Sequence, residues 1–460
     1  MEENNKTSEA KLKITFEPCG VEGSLIYESI TFKEKPALLV YSTAQGKFTV
    51  ESELRIEGKR VLPLTREMFP YCPYDFSESL LEEINRTKQN PRELYDLVLQ
   101  EFRTFIDLES RWRAVEAVQT LESYIQHKMQ TTSYLFHYGD VESGKSRILE
   151  IHNALDYRPL LSPSLPPADV YTYLGYHSEG CGTILEDEAE DLRKRRYEEK
   201  MKLYRVGYRK GATVPRIEFT NSGRRAQRFY KAFCCKCFSG RYLPNDAAFQ
   251  ARCIPINMVS GIPDKDEILD EDYERFNEIR CRLLAWRMES YFEPLPEVNV
   301  NLFGRLKEIW KPKLQVASIV GRDVADTIRE LALEAWEEKQ EQVRDSLEAY
   351  LTRAVIQCWL EIGSGEITFA HIWDKLREVL GAEEDLENPQ RMITDFGTIT
   401  KHSIGSMLSS VLGGKRKRMK RSRLRTYIFD AEKLEKLAKK YGISLGELVK
   451  GEDKANAYPL

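Results

Sequence analysis

Between residues 134 and 155 the chain reads Tyr-Leu-Phe-His-Tyr, then Gly139-Asp-Val-Glu-Ser-Gly144-Lys145-Ser146, then Arg-Ile-Leu-Glu-Ile-His-Asn-Ala-Leu. Gly139, Gly144, Lys145 and Ser146 satisfy G-x-x-x-x-G-K-[ST], the phosphate-binding P-loop. The glycines let the backbone curl so that its N–H groups face an anion. In such a loop the lysine reaches the β- and γ-phosphates, and the serine hydroxyl holds Mg²⁺. The apolar run before the loop reads as a buried strand. The run after it reads as a helix, whose N-terminus adds positive dipole to the same site. Strand, loop and helix thus predict an α/β P-loop NTPase core over residues 131–262. The residues expected to bind nucleotide are Gly139, Asp140, Val141, Glu142, Ser143, Gly144, Lys145, Ser146 and Arg147.

Some 40 residues on, Thr183-Ile-Leu-Glu-Asp-Glu reads as a strand ending in acids. Magnesium chemistry needs an aspartate at the end of such a strand, and hydrolysis is helped by a following glutamate that polarises water. Asp187 and Glu188 fit these roles, with Ser146 and Asp187 as the metal-binding pair. Glu186 stands where a fourth apolar residue is usual, so Glu186 and Asp187 form an alternative register. An acidic helix N-terminus is the ordinary alternative. Phe233-Cys-Cys-Lys-Cys-Phe-Ser-Gly reads as the next strand, with Ser239 at its end where it can sense the γ-phosphate. Cys234 and Cys237 form C-x-x-C, but no second Cys or His pair follows at zinc-site spacing, so they read as buried strand cysteines. Arg252 opens the last strand, Cys-Ile-Pro-Ile-Asn; it either acts in trans on a neighbour's nucleotide or holds a surface carboxylate.

The nine cysteines come without an apolar N-terminal signal, an expectation of a reducing, cytoplasmic setting. No run of 18 apolar residues is present, so no membrane span is expected. The net charge of −4 conceals local asymmetry.

Residues 1–75 alternate apolar and polar and predict a β-rich domain without visible chemistry. Residues 76–130 predict a helical connector, divided at Pro91 into two helices. Residues 205–216 carry Arg205, Arg209, Lys210 and Arg216 beside tyrosines, a pattern that grips phosphate and stacks on bases, or simply a solvated loop. Residues 263–342 predict further helices. Over residues 343–445 the order is helix, helix, helix, basic ribbon, which predicts a winged helix-turn-helix, followed by a tail at 446–460. From Lys401 to Tyr427 there are nine Lys/Arg and no acid. Lys415, Arg416, Lys417, Arg418, Lys420, Arg421, Arg423 and Arg425 are the expected contacts to DNA phosphates.

The P-loop, Thr183-Ile-Leu-Glu-Asp-Glu-Ala-Glu-Asp-Leu, Gly207-Tyr-Arg-Lys-Gly-Ala, residues 233–240 and Ala251-Arg-Cys-Ile-Pro-Ile-Asn-Met, in this order, resemble the ATPase domain of superfamily-3-like AAA+ replicative helicases of phages, plasmids and integrated elements. In that family apolar residues precede the Asp-Glu-Ala-Glu motif, and Glu186 departs from the pattern. The resemblance implies ATP and Mg²⁺ as cofactors, DNA as partner and a hexameric ring. It also implies catalytic roles for Lys145, Glu188 and Arg252, and a primase or polymerase as a further partner. Two other classes fit the same residues: an ATP-switched DNA-binding regulator, and a loading factor for a primase or polymerase.

Overall fold

The computed structural model describes residues 13–56, 58–65, 74–163, 165–176, 179–189, 198–219, 223–363, 365–385, 388–418 and 425–444. The chain forms two compact units that divide between Leu333 and Glu334. The architecture is mixed α/β. No helix among the described residues is long and apolar enough to cross a membrane.

The first unit is built on a parallel sheet of five strands: β1 (Tyr134–Tyr138), β2 (Pro159–Pro163), β3 (Thr183–Asp187), β4 (Cys235–Gly240) and β5 (Cys253–Asn257). Their spatial order is β2-β3-β4-β1-β5. β1, β3 and β4 are buried almost throughout. Helices cover both faces of such a sheet, so even His137, Glu186 and Lys236 on these strands are buried. On one face Tyr134, Phe136 and Phe238 pack with Tyr204 and Phe249. On the other lie α1 (Ser110–Ile125) and α2 (Lys145–Leu155), where His137 of β1 meets Glu116 of α1.

The connector before the sheet holds three helices, not two: Glu78–Arg86, Pro91–Phe105 and α1. Ser77 and Asn90 cap the first two, and Pro91 occupies the first turn of the second, where its missing N–H costs nothing. The extra break falls at residues 106–109, Ile-Asp-Leu-Glu, which contain no glycine or proline to announce it.

The N-terminal strands form two small sheets. They belong to the same compact unit as the central sheet. Buried Glu28 of strand Leu25–Phe32 accepts from Tyr157 Oη (2.7 Å), Arg158 Nη2 (2.5 Å) and Arg287 Nε (3.2 Å), which locks the N-terminal sheet to the core.

The second unit has its own apolar core, including Leu351, Val355, Ile372, Trp373, Ile404, Leu408 and Tyr427. Its helices are Leu347–Ile362, Phe369–Leu380, Lys401–Ser410 and Ala431–Tyr441. Val343, expected to open the first of these, lies instead in the preceding helix Arg322–Arg344, because Ser346 caps a new start. Strands Lys415–Arg418, Arg425–Ile428 and Ile367–Thr368 form the expected basic sheet. A second three-stranded sheet, Glu383–Glu384, Arg391–Thr394 and Gly397–Thr400, intervenes between the second and third helices, an addition to the expected order.

Candidate functional site

The loop after β1 meets the carboxyl ends of β3 and β4. Gly139 passes so close to the main chain that a Cβ there would run into the Met258 carbonyl. Gly144 caps α2 at φ +82, a left-handed conformation that glycine adopts without cost. Lys145 Nζ donates to the Asp140 carbonyl and to Ser143 Oγ (3.0 Å). Ser260 Oγ donates to the Glu142 carbonyl (3.2 Å), binding the loop after β5 to the same turn. The side chains of Asp140 and Val141 are exposed, and Arg147 Nε pairs with Glu150 (3.0 Å).

Ser146 Oγ donates to Asp187 Oδ2 (2.8 Å), and Ser239 Oγ donates to the other oxygen of the same carboxylate. Glu188 N donates to Asp187 Oδ1 (2.9 Å). Lys145, Ser146, Asp187 and Ser239 therefore come together from α2, β3 and β4. Successive side chains on a strand point to opposite faces, so only one of Glu186 and Asp187 can face the loop. Asp187 does. Glu186 turns into the core, where Lys200 Nζ and Tyr204 Oη (2.6 Å) donate to its oxygens. Burial raises the Glu186 carboxyl above its usual range, and Lys200 partly offsets this. Glu188 is exposed, with φ +53; Glu142 in the loop has φ +62. Non-glycine residues held in this region store strain, one of them within the loop and the other next to Asp187.

Arg252 is not part of this cluster. β5 runs parallel to β1 with Cys253 opposite Tyr134 and Asn257 opposite Tyr138. Arg252 precedes β5 while the loop follows β1, so they sit at opposite ends of the sheet, about 20 Å apart along the strands. The Arg252 guanidinium lies over the Tyr208 ring at 4.8 Å, and Arg305 lies over the same ring at 4.5 Å. Burial, then the charge of Arg305, lowers its pKa.

Three of the basic residues expected at DNA are engaged within the first unit. Arg205 pairs with Asp246, Arg209 with Glu308 (2.6 Å), and Lys210 Nζ donates to the His127 carbonyl (2.6 Å). In the second unit Lys415, Arg416 and Arg425 are exposed on the basic sheet, Arg418 ends its first strand, and Lys417 pairs with Glu366. Lys420, Arg421 and Arg423 lie outside the described residues.

An antiparallel ribbon, Thr213–Phe219 with Arg225–Lys231, stands where the sequence suggests only basic turns. Its signal is the alternation in Val-Pro-Arg-Ile-Glu-Phe. One face packs inward: Arg216 lies over Tyr171 at 4.6 Å, and Tyr230 meets Tyr171 edge-on. The other face presents Ile217, Phe219 and Phe229, which are 66%, 71% and 60% exposed, with Arg225 5.9 Å from the Phe219 ring.

No family model and no curated protein matches this chain. Among solved structures, the apo C-terminal region of NrS-1 is similar over 88% of this chain and 96% of its own, at 12% identity and a TM-score of 0.37. A full-length MCM homolog from Methanopyrus kandleri is similar over 68% of this chain and 74% of its own, at 14% identity and a TM-score of 0.36. At that distance function must be read from the residues of the site.

Proposed function

We propose that this protein is a Mg²⁺-dependent ATPase that works on DNA, a helicase or translocase in the replication of a mobile genetic element. The observation that carries the reading is the Ser146–Asp187–Ser239 cluster beside Lys145, at the carboxyl ends of parallel strands and the N-terminus of α2. Ligands bind at that end of an open parallel sheet.

Loop N–H groups and Lys145 would hold the β- and γ-phosphates. The oxygen donors Ser146 and Asp187 fit a hard divalent cation such as Mg²⁺, which would neutralise charge on the phosphates. Ser239, bonded to Asp187, is placed to report on the γ-phosphate. Glu188, exposed beside Asp187, is the group to accept a proton from the attacking water. A buried carboxylate already paired with Lys200 and hydrogen-bonded by Tyr204 suits that task poorly, which favours Asp187 and Glu188 over the alternative register. Arg252 cannot serve the loop of its own chain from the far end of the sheet, so a catalytic role for it requires a neighbour, as in a hexameric ring.

For DNA, the exposed ribbon face supplies aromatic rings for stacking and arginine for phosphate. The second unit, read as a winged helix, would set helix Lys401–Ser410 in a major groove while the basic strands follow the backbone. A primase or polymerase is the further partner proposed.

The test is ATP hydrolysis with and without single-stranded and forked DNA, together with strand separation, in wild type, Lys145→Ala and Asp187→Asn. DNA-stimulated hydrolysis lost in both variants is expected. DNA binding without hydrolysis under any condition would defeat the motor and leave an ATP-gated regulator or a loading factor.

A further inference from the structure

Beneath the loop, three side chains with no exposure converge: Glu116 of α1, His137 of β1 and His152 of α2. His137 Nε2 is 2.9 Å from Glu116 Oε1, and His152 Nε2 is 2.8 Å from Glu116 Oε2. The opposite nitrogen of each ring is also engaged. His137 Nδ1 lies 3.1 Å from the Phe238 carbonyl, and His152 Nδ1 lies 3.0 Å from Asp156 Oδ1. A carbonyl only accepts, so His137 Nδ1 must carry a proton; Asp156 asks the same of His152.

That fixes both Nε2 atoms toward one carboxylate, each oxygen of which faces one ring. The gap between them demands positive charge. Protons would supply it, on the rings or on the carboxyl, or one divalent metal would supply it with both rings neutral. The outer contacts match what orients histidine ligands: an Nδ1–H held by a carbonyl in one case and by a carboxylate in the other. Asp156 Oδ2 is buried without a hydrogen-bond partner, so one further carboxylate oxygen stands beside His152. One donor atom from each of the three residues lies within 4.8 Å of the others, and each Nε2 is 2.8 or 2.9 Å from a Glu116 oxygen, close enough for two donors with bonds of about 2.0–2.2 Å to share one ion.

We propose that His137 Nε2, His152 Nε2 and both oxygens of Glu116 form a structural site for a borderline divalent metal, zinc being the best match to two imidazoles and a carboxylate. It would join the strand before the loop and the helix after it to α1. This site is separate from the Ser146–Asp187 pair, whose all-oxygen donors suit Mg²⁺, and does not depend on the nucleotide reading.

The experiment measures metal in the full-length protein by elemental mass spectrometry after dialysis against zinc and then buffer. Roughly one zinc ion per chain is expected in wild type and in Asp187→Asn, falling at least fivefold in His152→Gln and Glu116→Gln. Both of those variants disturb a buried cluster and can fail to fold, so the wild type is also melted with and without a strong chelator. A midpoint lowered by several degrees and restored by zinc is expected. Folded wild-type protein that takes up less than about a tenth of an ion per chain, and melts identically with chelator, overturns the site and leaves proton-mediated bonds between the carboxyl and the two rings in its place.

Discussion

The two adjacent acids at the end of β3 make opposite predictions. Glu186 is buried and receives bonds from Lys200 and Tyr204, and Lys200 also donates to the Leu165 carbonyl (2.7 Å). Glu186→Gln takes the Glu186 counter-charge away from the buried Lys200 ammonium, a change that costs about 3–5 kcal/mol. Replacing the whole group with apolar residues, Glu186→Leu with Lys200→Met and Tyr204→Phe, removes the charges together. That substitution leaves the Leu165 carbonyl without its donor, at about 1 kcal/mol, and buried pairs replaced by apolar side chains are often neutral or better. The triple variant should therefore lie within about 2 kcal/mol of wild type. Asp187→Asn keeps the shape of the loop cluster and should cost little stability, but hydrolysis should fall on the order of 100-fold. Urea titration separates the cases: with a slope of about 3 kcal/mol/M, Glu186→Gln should lower the midpoint by roughly 1 M. A folded triple variant that hydrolyses ATP as poorly as Asp187→Asn would refute the assignment of Glu186 to the core.

Other substitutions test other parts. Gly139→Ala should abolish nucleotide binding, measured with a fluorescent ATP analogue, because its Cβ meets the Met258 carbonyl. Burial raises the Glu289 carboxyl to about 7, while its Oε2 accepts from Gln89 N. Its folded pKa lies above its ordinary value, so the stability it contributes is full below about pH 4.5 and is lost as pH rises through about 7. Glu289→Gln should thus match wild type at pH 4.5 and melt higher at pH 8, by about 1 kcal/mol for this partly exposed group. Phe219→Ala with Phe229→Ala should weaken single-stranded DNA binding by about 1–3 kcal/mol for each stacked base and leave hydrolysis without DNA unchanged. Lys415→Ala with Arg416→Ala should lower the slope of log affinity against log salt on duplex DNA, by about 0.9 for each phosphate no longer neutralised.

The loop region is legible because its chemistry is local: glycines, lysine and serine at fixed spacing between a strand run and a helix run. The acid register is not, because whether Glu186 or Asp187 faces the loop depends on Lys200 and Tyr204, which reach Glu186 from another helix. The ribbon is hidden for a different reason. Its outward face bears Ile217, Phe219 and Phe229 and its inward face Arg216, so the usual relation of apolar to buried is partly reversed. The Glu116–His137–His152 cluster is invisible as well, since its members lie on three elements and at no spacing that a motif captures. In the second unit, Thr400 and Asp430 announce their helices as N-caps, whereas the sheet over residues 383–400 has strands of only two to four residues.

The separation of Arg252 from the loop has a consequence for mixtures. If each active centre joins the loop of one chain to the arginine of the next, Lys145→Ala and Arg252→Ala chains are each inactive alone, yet each retains the half that the other lacks. Assembled together in equal amounts, they would present an intact loop to an intact arginine at about a quarter of their interfaces. Two inactive preparations would then recover activity on being combined, which chains working singly cannot do.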